Sequence, residues 1–467
     1  MLNVTSATKK AFMSDVSKKT LRIWFPDLSV QYTNDSIETE SLKITESIST
    51  KDSVEFVGCI ASSLQISIYG IEENIKGKWI EVYISADGTD EIPLFKGIVD
   101  SVVIDSNKYF KKITAYDVLY DKTNVEVVDW YNGLFPTEDT QHTLKEIRDS
   151  IFRYLGINQV DIELPNDALV IKKEYEPKTL KGLNVLKAIC QINGACGIIN
   201  RNGYFDYRFI TSVVGGMHPA FTLFPSNTTF PQVSNIAHTF AFYEKLDFEE
   251  YYVRPMQQVQ IRENENDSGV IVGTGTNKYI IQSNMFAKGI VPSILNAAAN
   301  NILNRLKEVE FFPFKSKNNG LPFIEVGDAV VYVLNKNRSG RYATNSFFVL
   351  SRTLSGVQLL KDEYSAVGDE KQSEFITDLQ TTLDTLKMSG GGGGGDLSDY
   401  YTKEDVNDIL TDYTTQGQVE EQVTTEVAQQ VNQMEKPTGF TVVSTYTLPS
   451  NRANNTIYLI QGGVIIQ

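Results

Sequence analysis

The sequence predicts a mainly β chain with an α+β insert: two small β-barrels, an α+β domain between them, and a C-terminal stem module of helix and strand. Three observations predict it. Short segments of alternating apolar and polar residues follow in quick succession between residues 55 and 121. Helical spacing is confined to a few stretches, so β structure dominates. Six glycines at 390–395 set the last part of the chain apart.

The alternation is regular. Leu64, Ile66 and Ile68 alternate with Ser63, Gln65 and Ser67, and Ile80, Val82 and Ile84 alternate with Glu81, Tyr83 and Ser85. Ile98, Val102 and Ile104 share a parity that only Asp100 breaks, and Ile113 and Ala115 alternate with Thr114 and Tyr116. Successive strand residues point to opposite faces, so this pattern buries one face and wets the other. Turn residues punctuate it at Tyr69-Gly70, Gly77, Ala86-Asp87-Gly88 and Ser106-Asn107. A barrel fits best, because closure removes the edges that a bare meander exposes. Two further strands, over 21–28 and 31–44, are expected to join it. Residues 1–20 are polar and weakly patterned and read as an arm that orders on assembly. The first domain is expected to span 1–124.

This stretch also carries a resemblance. Val54-Glu55-Phe56-Val57-Gly58-Cys59, then Phe95-Lys96-Gly97-Ile98-Val99, then Ile113-Thr114-Ala115-Tyr116-Asp117 resemble, in order and spacing, the first domain of phage tail-tip and baseplate hub proteins. That family includes the T4 baseplate hub and the prophage tail proteins of Gram-positive bacteria. The resemblance implies that both barrels are of the tail-tube type.

An α+β domain is expected over 125–211. Thr143-Leu144-Lys145-Glu146 has the form of a capping box. Leu144, Ile147, Ile151 and Tyr154 follow at helical spacing, and Gly156 stops the helix. A second helix is expected over 183–191, ended by Gly194. A hairpin follows, from Cys196 to Asn200 and from Tyr204 to Phe209, with its turn at Arg201-Asn202-Gly203. Leu186-Lys187-Ala188-Ile189-Cys190, Asn193-Gly194-Ala195 and Ile199-Asn200-Arg201-Asn202-Gly203-Tyr204 resemble the insert domain of the same family.

The second barrel domain is expected over 212–368. Its first part, 218–232, holds Phe221, Phe224 and Phe230 beside Pro219, Pro225 and Pro231 and reads as a loop whose aromatics pack inward or against a neighbouring subunit, in preference to a membrane-touching loop. Strands are expected over 240–248, 251–262 and 269–281. Gly273-Thr274-Gly275-Thr276-Asn277-Lys278 lacks the spacing of a phosphate loop and reads as a strand-connecting turn. A helix over 292–308 has Pro292 in its first turn and Leu295, Ala298, Ile302 and Leu306 on one face. Val326-Gly327-Asp328-Ala329-Val330-Val331 turns into a strand, and 347–352 gives another. The run from Phe348 through Arg352-Thr353-Leu354-Ser355-Gly356 to Val357-Gln358, closed by Asp362-Glu363-Tyr364-Ser365-Ala366-Val367-Gly368, is the most specific match. It resembles the end of the hub core, and the resemblance as a whole covers 20–368.

A linker of helix and glycine is expected over 369–395. Ile376, Leu379, Leu383 and Leu386 fall at heptad spacing and suit a bundle of identical helices. The module 396–467 opens with Tyr400-Tyr401-Thr402-Lys403-Glu404-Asp405-Val406, which resembles a short helical repeat of phage fibre and tip proteins. Val419, Val423, Val427 and Val431 continue a helix that valine alone stabilises poorly, so partner chains are expected to support it. These eight residues are the candidate oligomerisation residues. Closing strands are expected over 441–447 and 456–467.

Composition narrows the function. The chain has 467 residues, room for about three domains. Net charge is −15, and the lysines come in scattered pairs, so sequence-specific nucleic-acid binding is not expected. The three cysteines, Cys59, Cys190 and Cys196, fit no zinc pattern with the scattered His142, His218 and His238. They read as buried free thiols, folded in a reducing compartment. No metal, cofactor or catalytic residue is expected. No run of 18 apolar residues exists, so no transmembrane helix is expected.

What the resemblance implies is a structural role: a homotrimeric tail-tip hub whose barrels form a pseudo-sixfold ring, joining a sixfold tail tube to a threefold tip. Its partners would be the distal tail or tube protein, the tape-measure protein, and fibre or receptor-binding proteins. Phage DNA would pass transiently, and the host envelope would be met at infection. It would be made in the bacterial host cytoplasm and reside in the virion. Two alternatives stand beside this. A tail-associated cell-wall hydrolase needs placed carboxylates or clustered histidines, and the residues after the core are few for a lytic domain. A host-binding adhesin would use 396–467 or the loop at 218–232.

Overall fold

Strand β1 (Lys19–Phe25) shows how the chain builds its core: Leu21, Ile23 and Phe25 are fully buried, while Arg22 and Trp24 between them are half-buried. The computed structural model describes residues 2–14, 16–48, 59–104, 109–174, 177–209, 236–307, 309, 311–336, 342–368, 374–378, 441–444, 456–460 and 463–466. They fall into two units, Met1–Ser389 and Gly390–Gln467. The protein is mainly β, with an α+β block between its strand-rich parts.

In the first part, β1 is followed by β2 (Val30–Thr33), β3 (Lys43–Ser47), β4 (Ser63–Tyr69), β5 (Trp79–Ala86), β6 (Ile92–Ile104) and β7 (Phe110–Tyr116). They run antiparallel in the order β3-β4-β7-β6-β5-β1-β2. The curl draws shut where Ile37 bridges Ile68 and the Glu38 N–H donates to Ser67 O at 3.0 Å. The expected strand over 31–44 is therefore broken. The Asn34 side chain caps β1 by accepting from Leu21 N and donating to Lys19 O, and a 3-10 turn follows.

The parity expected for β6 also changes. Its ladder slips at Val82/Tyr83 and again at Val99/Ser101. Each bulge adds a residue and turns later side chains to the other face. Val99 is buried, Ile98 and Val102 are half-buried, and Ile104 is 60% exposed.

Residues 1–20 do not form a bare arm. Helix α1 (Ser6–Met13) is capped by Thr5, whose hydroxyl accepts from Thr8 N, and it buries Phe12 in the common core. The Leu2 N–H donates to Phe323 O at 3.0 Å. One capped turn and one buried ring order a segment whose composition is otherwise polar.

The α+β block opens with α2 (Val118–Lys122) and α3 (Val128–Leu134). Then come β8 (Gln141–Thr143) and α4 (Leu144–Leu155), where the capping box forms as expected: Glu146 N donates to Thr143 Oγ1 and Thr143 N to Glu146 Oε2. Short β9 (Val170–Lys172) pairs with β8. Helix α5 (Gly182–Asn193) leads to the hairpin of β10 (Cys196–Ile199) and β11 (Phe205–Arg208). Gly156 and Gly194 end α4 and α5 in the left-handed conformation, at φ 65° and 62°, where a Cβ is costly. The sequence gives α5 one apolar face, but it is buried all round from Val185 to Asn193.

The later part adds β12 (Ile236–Phe240), β13 (Lys245–Phe248), β14 (Gln258–Arg262), β15 (Val270–Gly273), β16 (Lys278–Gln282) and α6 (Pro292–Leu306). After these come β17 (Phe314–Asn319), β18 (Ala329–Lys336), β19 (Tyr342–Phe348), β20 (Ser351–Ser355), β21 (Lys361–Ala366) and β22 (Glu374–Asp378). Strands β15-β14-β16-β22 form one sheet and β12-β18-β19 another. Strands β13-β17-β21-β20 continue directly into β3, so one 11-stranded sheet runs through the early and late parts of the unit.

Strand β22 corrects the helical reading at Ile376. That residue lies in a strand, in parallel register with Ile280 of β16, so the heptad seam does not begin there. The unpaired edge of β16 captures a short segment that heptad spacing alone assigns to a helix. Leu379, Leu383, Leu386, Val419, Val423, Val427 and Val431 lie outside the described residues, as does the loop at 218–232.

The second unit holds β23 (Thr441–Ser444), β24 (Thr456–Ile460) and β25 (Gly463–Ile466), with β24 central in a three-stranded sheet. Among the described residues, no helix is long and apolar enough to cross a membrane.

Candidate functional site

The point where the early and late parts of the unit join is also its most polar interior. Strands β3 and β20 pair antiparallel, and their register sets Glu46 directly opposite Arg352. Strand β21 pairs on the far side of β20, with Tyr364 opposite Arg352. On β21, Asp362, Tyr364 and Ala366 face inward. The turn of the β10–β11 hairpin brings in Arg201.

The side chains of Arg352 and Asp362 are wholly buried. Arg352 Nε donates to Asp362 Oδ1 at 2.7 Å and Nη2 to Oδ2 at 3.0 Å, a bidentate fork. Nη1 reaches Glu46 Oε2 at 3.4 Å and the Ile324 carbonyl, and Nη2 also reaches Leu321 O at 3.2 Å. All five guanidinium donors are thereby used. Asp362 Oδ2 also accepts from Leu321 N and the Tyr364 hydroxyl, both at 2.8 Å.

Glu46 is shared. Arg201 Nε and Nη2 lie 3.3 Å from its two carboxylate oxygens, and Arg201 also donates to the carbonyls of Pro322 and Ile324. Two arginines and two carboxylates thus balance in charge inside the protein. Burial is the strongest single influence and would lower the Arg352 pKa, but Asp362, Tyr364 and Glu46 together outweigh it and the pKa is raised. Burial pushes the Tyr364 hydroxyl well above its ordinary value. Beside this cluster Arg208 of β11 bridges Asp206 at 3.2 Å and Glu325 at 3.3 Å.

A second seam of amides runs within the α+β block and fixes it to α6 and to the segment before α6. Asn166 N donates to Asn193 Oδ1 at 2.9 Å, Asn301 Nδ2 to Asn166 Oδ1 at 2.9 Å, and Asn284 Nδ2 to Gln191 Oε1 at 2.6 Å. These groups are spent on one another. The arrangement holds elements in fixed register and leaves the Arg352 guanidinium without a donor to offer a ligand.

The cysteines are buried free thiols, as expected. Cys59 Sγ lies 3.8 Å from Cys190 Sγ, and burial pushes the Cys190 thiol well up. Among the described residues, no group of three or more His, Cys, Asp or Glu side chains is placed to hold a metal. His142 instead bonds the Leu134 carbonyl at 2.9 Å. Of the candidate oligomerisation residues only Ile376 is described, and it sits away from the junction, in β22. The runs that carry the resemblance include Arg201, Arg352, Asp362 and Tyr364 but give them no role, and sequence reasoning missed Glu46 altogether. Each stands alone among polar neighbours, and only the register of β3, β20 and β21 brings them together.

No family model and no curated protein matches the chain. Solved structures that resemble it include three prophage tail proteins. The prophage MuSo2 43 kDa tail protein from Shewanella oneidensis has a TM-score of 0.44 at 11% identity, covering 75% of this chain and 97% of that one. The tail protein from Neisseria meningitidis MC58 gives the same values. Prophage tail protein gp18 from Listeria monocytogenes EGD-e has a TM-score of 0.42 at 10% identity, covering 80% of this chain and 99% of that one.

Proposed function

We propose that the chain is a structural protein of a bacteriophage tail, and within the tail a tip or baseplate hub. The observation that carries this reading is the junction. The residues through which the late segment resembles the hub core, Arg352 and Tyr364, are the ones that lock β20 and β21 to β3. A saturated, charge-balanced interior suits a part that transmits load and holds register, and a hub needs both. The hub would be a homotrimeric ring between a sixfold tube and a threefold tip. It would bind a distal tail or tube protein, a tape-measure protein, and fibre or receptor-binding proteins. The acidic balance of the chain supports passage of DNA without adhesion.

Light scattering on the full chain and on a chain stopped after Lys387 tests the ring. A mass of three chains for both supports it and puts the determinant in the core. A trimer only with the C-terminal module makes that module the clamp. A monomer in both counts against the ring. Clearing of cell walls by the purified protein would overturn the purely structural reading.

A further inference from the structure

A cleft of about 610 Å³ opens in the first unit between the segment entering β14, the β15–β16 turn and the end of α6. Its charge runs against that of the chain. The protein has 58 acidic residues and 43 basic ones. Among the described residues, the cleft is lined by two cations, Arg254 and Lys307, and by no carboxylate. Arg254 is exposed and makes no ion pair among the described residues. Lys307 donates to Asn304 Oδ1 at 3.0 Å, a neutral acceptor, and makes no ion pair among the described residues.

The glycine-rich turn at 273–277 rims the cleft but is not a phosphate loop. The N–H groups of Thr276 and Asn277 are already taken by Gln257 Oε1, at 2.8 and 3.4 Å. What the rim offers is side chains, the hydroxyls of Thr274 and Thr276. Met256 and Leu303 give apolar surface, and the Tyr252 ring is held edge-on against Phe312 at 6.0 Å.

We propose that this cleft binds the phosphate ester of a small polyol or sugar. A guanidinium fork and an ammonium are the two side chains suited to a phosphate group. The threonine hydroxyls match ligand hydroxyls, and the apolar surface and Tyr252 ring match the C–H faces of a sugar. The volume falls within the roughly 300–1,000 Å³ usual for small-molecule sites.

The test is calorimetric titration of the full chain with glucose 6-phosphate, beside glucose, inorganic phosphate and glucuronate. Glucose 6-phosphate is expected to bind more tightly than the other three, and more weakly as salt rises. Arg254→Gln and Lys307→Gln are each expected to weaken it about tenfold or more. Both residues are exposed, so unchanged melting temperatures would certify the fold of the variants. Four results would overturn the proposal: no binding of glucose 6-phosphate up to about 10 mM, equal binding of inorganic phosphate, tighter binding of glucuronate, or affinity unchanged in both variants.

Discussion

Glu46 and Arg352 lie 306 residues apart in sequence and directly opposite one another across the β3–β20 ladder. The same Glu46 carboxylate also takes Arg201 from the α+β block. One acidic side chain therefore ties three parts of the chain, and each part loses a buried counter-charge if another leaves. Nearly all of the first unit's buried apolar residues, from Phe12 to Ala366, likewise belong to one contiguous cluster.

Removing one side of the Arg352–Asp362 pair is expected to be severe. Arg352→Met leaves Asp362 and Glu46 buried with too little positive charge, at a cost of about 3–5 kcal/mol. Adding Asp362→Leu restores the balance and should recover a large part of that loss, because the pair's desolvation cost goes with it. Urea midpoints for the two single variants and the double variant give the coupling. Losses that simply add would show that the pair is not the unit of stability.

Asp117 makes stability depend on pH in the direction opposite to a salt-bridged carboxylate. It caps α2 and accepts from Ser62 N at 2.6 Å and Leu119 N at 2.8 Å, but burial pushes its pKa up to about 7. The folded state then holds the proton more tightly than the unfolded chain. Stability is greatest below the unfolded pKa and falls as pH rises from about 4 to about 7, by at most about 4 kcal/mol. Asp117→Asn removes this slope. Urea unfolding of both proteins across that range is expected to show the wild type losing ground to the variant as pH rises. Parallel curves would mean that the two N–H donors hold the carboxylate ionised throughout.

The strands that sequence reasoning found and those it missed differ in the chemistry of their inward side. β4 and β5 turn isoleucine and valine inward, and their alternation is visible. β17 buries Ser316 and Asn318, and β21 buries Asp362, so the same alternation runs through polar residues. These side chains satisfy one another: Tyr332 Oη lies 2.8 Å from Ser316 Oγ and 3.0 Å from Asn318 Oδ1. A hydrophobic period cannot register a polar core. The capping box and glycine stop of α4, by contrast, were legible because their partners lie within four residues. The junction was half legible: the resembling runs hold Arg352, Asp362 and Tyr364, while Glu46 and the pairing of all four depend on strand register.

The three thiols are expected to be silent in the folded protein. All are buried, and the Cys190 pKa lies well above its ordinary value through burial, so the reactive thiolate is scarce. An aromatic disulfide reagent should label no thiol in native protein and all three in denaturant. Rapid native labelling of one thiol would mean that the segment around it opens locally.

Thr143 tests whether α4 is held by its own cap or only by packing. Its hydroxyl accepts from Glu146 N at 3.2 Å, and the Glu146 carboxylate returns a bond to Thr143 N at 2.8 Å, which holds that carboxylate below its usual range. Leu144, Ile147 and Ile151 beneath it are fully buried, so the helix remains when the cap is lost. Thr143→Ala is expected to cost about 1 kcal/mol, and Thr143→Ser a few tenths at most. Thermal unfolding of both variants checks this. An alanine variant as stable as wild type would show that burial of the helix face fixes its start without the cap.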